Sequence, residues 1–185
     1  MQEKHLSTSD ALAKLKCGNL IYINAKTSNG DISPKKRLLT SENGQRPYAV
    51  IIACSDSRVI PESIFSAGIG ELFVVRVAGN VIDNNQLGSI EYAINNLGCR
   101  LVIVLGHTQC GAVGAAMRQN QGYIKFITDE IKLAIGEEVD PFKASILNIK
   151  RSVEKITSLI KDIDGLQITG AIYHTDSGIV DFDLD

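Results

Sequence analysis

Three short apolar runs constrain this chain more than any other feature of it: Tyr48–Ala53, Leu72–Ala78 and Leu101–Leu105. Each is rich in Val and Ile and is apolar almost throughout, where a half-exposed strand would alternate. Strands covered on both faces read this way, and they belong to parallel sheets with helices on either side. The chain is therefore expected to be α/β, with a mostly parallel central β-sheet flanked by helices. Between the second and third runs, Leu87, Ile90, Ile94 and Leu97 recur at helical spacing and Gly98 closes the pattern, which predicts a βαβ unit.

The remaining segments fill in around that sheet. Gly111–Met117 reads as a small-residue helix packed closely against a neighbour. Residues 142–164 carry a stripe of Ile146, Ile149, Val153, Ile156, Ile160 and Ile163, predicted to end at Gly165. The tail ITGAIYHTDSGIVDF reads as two strand pieces around an Asp-Ser-Gly turn. At the other end, a helix is expected over Ser9–Cys17, capped by Ser9 or Asp10 and stopped by Gly18. Residues 24–46 are polar and rich in breakers, with a short helix around Pro34–Leu39. The expected organisation is a single domain over 1–185 with an N-terminal helical arm over about 1–46.

Composition narrows the class of function. The 185 residues are 44% hydrophobic and 22% charged, enough for one ordinary core without disulfides. A net charge of −2 offers no basic surface for nucleic acid. No apolar run approaches the roughly 18 residues of a membrane span. The start, MQEKHLSTSDALAKLK, has no signal core, so a cytoplasmic protein is expected. Four cysteines without a Cys-x-x-Cys pair then read as metal-binding or catalytic thiols before disulfides. Cys17 and Cys99 are adequately explained by packing, although either could serve as a fourth ligand in a closed structural site. His5 and His174 are isolated and read as surface or local hydrogen-bonding residues. Gly68-x-Gly70 lacks a third glycine and precedes a strand, which argues against a dinucleotide site.

The chemistry gathers where two buried strands stop. Tyr48–Ala53 runs into Cys54-Ser55-Asp56-Ser57-Arg58, and Leu101–Leu105 into Gly106-His107-Thr108-Gln109-Cys110. Ligands of open α/β sheets collect beyond the carboxyl ends of strands, so both segments can face one crevice. Cys54, His107 and Cys110 are zinc-preferring ligand types, and three of them leave a fourth tetrahedral position open, as catalytic sites do. Asp56 and Arg58 follow Cys54 at spacing two and can point to the same side. Arg58 offers Asp56 a bidentate partner that competes with the metal and leaves the fourth position to water.

CSDSRV followed about fifty residues later by GHTQCGAV resembles the β-class carbonic anhydrases. The likeness extends through Gln45-Arg46-Pro47, GELFVVRVAGN, SIEYAI and ITGAIYHTDSGIVDF, from roughly the first helix to the C-terminus. His174 departs from it, standing where an Asp is common. The resemblance implies one Zn²⁺ per chain on Cys54, His107 and Cys110, and reversible hydration of CO₂ to bicarbonate and a proton. It implies that Gln45 hydrogen-bonds substrate, that Phe73 and Tyr92 line an apolar pocket partly supplied by the partner subunit, and that Gly111 lies near the bound anion. A homodimer or higher homo-oligomer follows. The alternatives are a related zinc hydrolase of COS or CS₂, and a non-catalytic zinc- or bicarbonate-binding module.

The resemblance also bears on regulation. One branch of the family is switched off by bicarbonate at a second site and resembles Trp three positions before the first Cys and Gly immediately before it. Here those positions are Ile51 and Ala53, so a constitutively open site is expected. Activity is expected to fall at low pH, in part because acid protonates the carboxylate of the Asp56–Arg58 pair.

Overall fold

The computed structural model describes residues 6–25, 30–118 and 120–184; His5 and part of the 24–46 connection lie outside them. Four strands, β1 (Ala49–Ala53), β2 (Leu72–Arg76), β3 (Leu101–His107) and β4 (Gln167–Tyr173), run parallel, and β5 (Val180–Asp181) returns antiparallel beside β4. The spatial order is β2-β1-β3-β4-β5. The chain thus leaves β1 to one side for β2, then crosses back to the other side for β3. That reversal opens a crevice beyond the carboxyl ends of β1 and β3, where parallel sheets place their ligands.

Strand alternation divides the core cleanly. Ala49, Ile51 and Ala53 face one side with Leu101, Ile103 and Leu105, covered by α1 (Thr8–Asn24) and the short α3 (Pro61–Ile64). Val50, Ile52, Val102 and Val104 face the other, against α4 (Asn84–Leu97) and α7 (Pro141–Leu159). A third cluster closes the carboxyl end, where Cys54 and Cys110 pack with Val81, Val113 and Ile131. Its walls are α5 (Gly111–Ala116) and α6 (Lys125–Ile135). The remaining helix, α2 (Pro34–Asn43), has no buried residue at all. Among the described residues, no helix is long and apolar enough to cross a membrane.

Several expectations need correction. The first helix is capped by Ser7, whose hydroxyl accepts from the Asp10 N–H, and it continues through Gly18 to Asn24. Gly18 is a close-approach residue: a Cβ there would stand 1.9 Å from the Phe65 carbonyl oxygen. With Ala11 and Leu15 fully buried, α1 belongs to the core, and only α2 is arm-like. The apolar stripe outruns its helix: α7 ends at Leu159, yet Ile160 and Ile163 still pack on the same cluster. Continued burial extends the spacing past the last helical turn. Helix α6 is not among the expected elements, although Ile127, Ile131 and Ile135 recur at spacing four within it.

Candidate metal centre

Strand β1 ends at Ala53 and delivers Cys54, buried at the sheet's edge. Strand β3 runs two residues further than its apolar run and carries His107 as its last member, only 1% exposed. The next turn returns as Cys110, the N-cap of α5. The ligating atoms of Cys54, His107 and Cys110 all lie within 4.8 Å of one another. Cys99, just before β3, instead donates its thiol to the Pro47 carbonyl at 3.2 Å, and burial pushes its pKa up to about 11. Cys17 is exposed on α1. Neither joins the cluster.

The donor set fits a cation. A carbonyl can only accept, so the 3.0 Å contact between His107 Nδ1 and the Thr108 carbonyl assigns the ring proton to Nδ1. That leaves an unprotonated Nε2, which is buried without a hydrogen-bond partner. A buried acceptor aligned with two thiols is the arrangement of an imidazole ligand. The thiols themselves are unequal. Cys54 is shifted toward the thiolate, first by a hydrogen bond from Cys110 and, against burial, by the N–H groups of Asp56 and Gly79 at 3.4 and 3.3 Å. Cys110, as the donor in that bond and buried, is held up. A dication supplies the charge that would let both sulfurs ionise.

The Asp56 carboxylate is not part of the ligand-atom cluster and is engaged by Arg58. Arg58 Nε and Nη2 donate to its two carboxylate oxygens at 2.9 and 2.8 Å, and the Arg58 N–H adds a third bond at 3.0 Å. The Arg58 hydrogen bonds hold the Asp56 carboxyl well below the usual carboxylate range. The pair therefore stays ionised through the mildly acidic range, and the low-pH loss expected of it falls below the usual carboxylate range. Arg58 also donates to the Gln109 carbonyl at 3.2 Å, and Gln109 adopts a left-handed backbone with φ of 57°. For a residue with a Cβ this conformation is strained, and here it turns the carbonyl toward the dyad.

Arg76 completes the turn, and sequence reasoning alone does not single it out. From the end of β2 it donates to the carbonyls of Cys54 at 3.2 Å and Asp56 at 2.8 Å, bracing both residues. A lone guanidinium closing an otherwise apolar strand is the available signal.

Of the pocket residues implied by the resemblance, only Gly111 lies beside the cluster. Gly111 directly follows Cys110 at the exposed start of α5. Gln45 is exposed before the amino end of β1, beside Gly70, and the five-residue strand, about 17 Å long, lies between it and Cys54. Phe73 pairs with Val50 and stacks obliquely on Tyr92 at 6.2 Å between centroids. That pair is set back from Cys54 by four residues of strand, about 13 Å. One chain does not bring Gln45, Phe73 and Tyr92 to its own sulfurs.

Comparison with known proteins identifies the family. The carbonic anhydrase family model matches residues 49–180. A carbonic anhydrase of Mycolicibacterium smegmatis is 35% identical over 90% of this chain and 89% of its own length. Carbonic anhydrase 2 of Mycobacterium tuberculosis is 38% identical over 73% of each chain. Among solved structures, the β-carbonic anhydrase CafA of Aspergillus fumigatus superposes with a TM-score of 0.68 at 26% identity, covering 96% of this chain and 91% of its own. A tetrameric β-carbonic anhydrase of Sordaria macrospora shares the fold with a TM-score of 0.70 at 22% identity, over 80% and 85% of the two chains. The chain belongs to the carbonic anhydrases, a family of lyases, and within them to the β class.

Proposed function

We propose that this protein hydrates CO₂ reversibly to bicarbonate and a proton, with Zn²⁺ held by Cys54, His107 and Cys110. The observation that carries the reading is the partnerless, buried His107 Nε2 placed among two thiols at the sheet's switch point. A zinc ion held there would supply Lewis acidity, which can lower the pKa of a coordinated water to about 7. The protein's own residues do the rest. Arg58 keeps the Asp56 carboxylate off the metal position while leaving it as a hydrogen-bond acceptor that orients the nucleophile. The apolar side chains of Val81 and Val113 beside the sulfurs limit competing water, which suits a small apolar substrate.

The same reading makes the smallest active unit a homodimer. Gln45 lies at the wrong end of β1 for its own chain's sulfurs, so its substrate hydrogen bond is made in the partner's site. The Phe73–Tyr92 pair is placed at the boundary between the two, and Gly111 beside the anion. Helix α2, with Leu38 60% and Leu39 52% exposed, supplies the apolar surface that a second copy covers. Free thiols at all four cysteines suit a reducing, cytoplasmic compartment. Stopped-flow CO₂ hydration by purified protein, with and without a zinc chelator, tests the proposal. Zinc-dependent turnover is expected. Turnover confined to COS or CS₂, or zinc binding without any turnover, would replace it.

A further inference from the structure

Cys54 Sγ receives two backbone hydrogen bonds of different origin. The Asp56 N–H comes from its own turn, while the Gly79 N–H comes from the loop after β2. Gly79 adopts φ of 68°. The loop's own bond, from the Asn80 N–H to the Val77 carbonyl at 3.0 Å, holds one side of the Gly79–Asn80 peptide, and the Gly79 and Asn80 carbonyls are left to be held from outside. Helix α7 holds them. Asn148 Nδ2 donates to the Gly79 carbonyl at 2.8 Å, and Ser152 Oγ to the Asn80 carbonyl at 3.3 Å. Both side chains are buried, at 3% and 4% exposure, on a helix whose neighbouring positions Ile149 and Ile156 are pure core. On the far side, a Cβ on Gly79 would stand 2.7 Å from Ile131 Cδ1 and 3.1 Å from Ala112 Cβ. The loop is held between α5 and α6 on one side and an amide clamp on the other. A polar side chain buried in such a face is retained where it has a specific partner to hold.

We propose that Asn148 is a positioning residue for the metal centre. By anchoring the Gly79–Asn80 peptide through its carbonyl, it holds the loop that presents the Gly79 N–H to Cys54 Sγ and so keeps that sulfur in its ligating position. The inference rests on the zinc reading above. Partners one shell out from a metal ligand commonly change metal affinity by about 10- to 100-fold. The test compares the full-length wild type with Asn148→Leu, which keeps the volume and removes the donor. Zinc affinity is measured by chelator competition, and Co²⁺ is used as a probe of the thiolate-to-metal charge-transfer band. We expect about tenfold weaker zinc binding and a displaced Co²⁺ band, with apo-protein circular dichroism unchanged. Ser152→Ala, which frees only the Asn80 carbonyl, should change both readouts less. A folded Asn148→Leu with wild-type zinc affinity and an unshifted band overturns the proposal. So does failure of both Asn148→Leu and Asn148→Ala to fold, which would assign Asn148 to the scaffold. A wild type that binds no zinc would instead remove the metal reading itself, a distinguishable result.

Discussion

The two ends of β1 are built on opposite plans. At its carboxyl end, Cys54, Asp56, Arg58 and Arg76 form a closed set in which carbonyls, carboxylate and sulfur all have partners from the same chain. At its amino end, Gln45 and Arg46 are exposed, and the preceding α2 buries nothing. The difference separates what one chain finishes from what it leaves open. The Cys54–His107–Cys110 cluster is completed by folding alone. On the proposed reading, the substrate-orienting half waits for a second copy, because a five-residue strand cannot bring its two ends together. The contrast can be broken from either end.

The largest effect belongs to the closed end. Cys110→Ser and His107→Ala should each lose zinc under chelator conditions that leave the wild type loaded, and lose CO₂ hydration with it. Cys99→Ser should keep its zinc, since Cys99 is bonded to the Pro47 carbonyl away from the cluster. Metal analysis of the purified variants decides this. Zinc retained in Cys110→Ser but lost in Cys99→Ser would reverse the assignment.

Arg58→Ala comes next, separating catalysis from metal binding. Zinc should stay, since Arg58 touches no ligand atom, while turnover falls by on the order of a hundredfold or more as Asp56 becomes free to reach the metal. The sign of the pH effect follows from the depressed Asp56 pKa. Stability from the pair is fully present above the ordinary carboxylate range near pH 4 and is lost only as pH falls through the depressed value. Being partly exposed, the pair contributes little stability, and in the wild type it stays intact throughout the neutral and mildly acidic range. Removing Arg58 should raise the Asp56 pKa toward its ordinary value, which an NMR titration of the apo-protein carboxyl would read. An Asp56 titration unchanged in Arg58→Ala would show that the pair does not control it.

The open end predicts a smaller but more diagnostic effect. If Gln45 serves the partner's site, Gln45→Ala keeps its zinc and loses about tenfold or more in kcat/KM. Cys110→Ser has the complementary defect. Mixed under conditions that exchange subunits, the two should regain activity that neither homodimer has, because the hybrid pairs an intact metal site with an intact Gln45. Leu39→Asp should weaken association in sedimentation at micromolar protein while leaving zinc bound. Absence of complementation in a verified hybrid, or a fully active monomer, would return Gln45 to a role within its own chain.

The contrast also explains what could be read beforehand. Ligand types at strand ends are local facts: Cys54, His107 and Cys110 follow runs whose continuous apolarity marks buried parallel strands. The fold class was legible for the same reason. Gly18 misleads because a glycine late in a helical pattern has the same spelling whether it ends the helix or admits the Phe65 backbone; the choice is made by tertiary packing. Arg76 is marked by its place at the end of an apolar strand, but Gly79 and Asn148 are not visible in the sequence, because hydrogen bonds to backbone carbonyls and N–H groups leave no pattern there. Gln45 was visible only through family resemblance, since its proposed partner is not on its own chain.

The smallest expected effect is none, and it concerns the β1 residues that lie between the two ends. Ile51 and Ala53 are fully buried, packed in the same apolar cluster as Leu101, Ile103 and Leu105 of β3 and Tyr173 of β4. An anion inserted beside Ile51 would meet alkyl groups and lose hydration without new donors, at a cost well above the about 2–7 kcal/mol of an unpaired neutral polar group. The nearest guanidinium from β2, Arg76, is already engaged on the Cys54 and Asp56 carbonyls. Releasing it would free the turn that positions the sulfur. Bicarbonate should therefore act on this protein only as product, with simple rather than cooperative inhibition, and Ile51→Trp combined with Ala53→Gly should be needed before cooperativity can emerge. Initial rates across a bicarbonate series would read it: a Hill coefficient above one in the wild type would place an anion where this packing leaves no room.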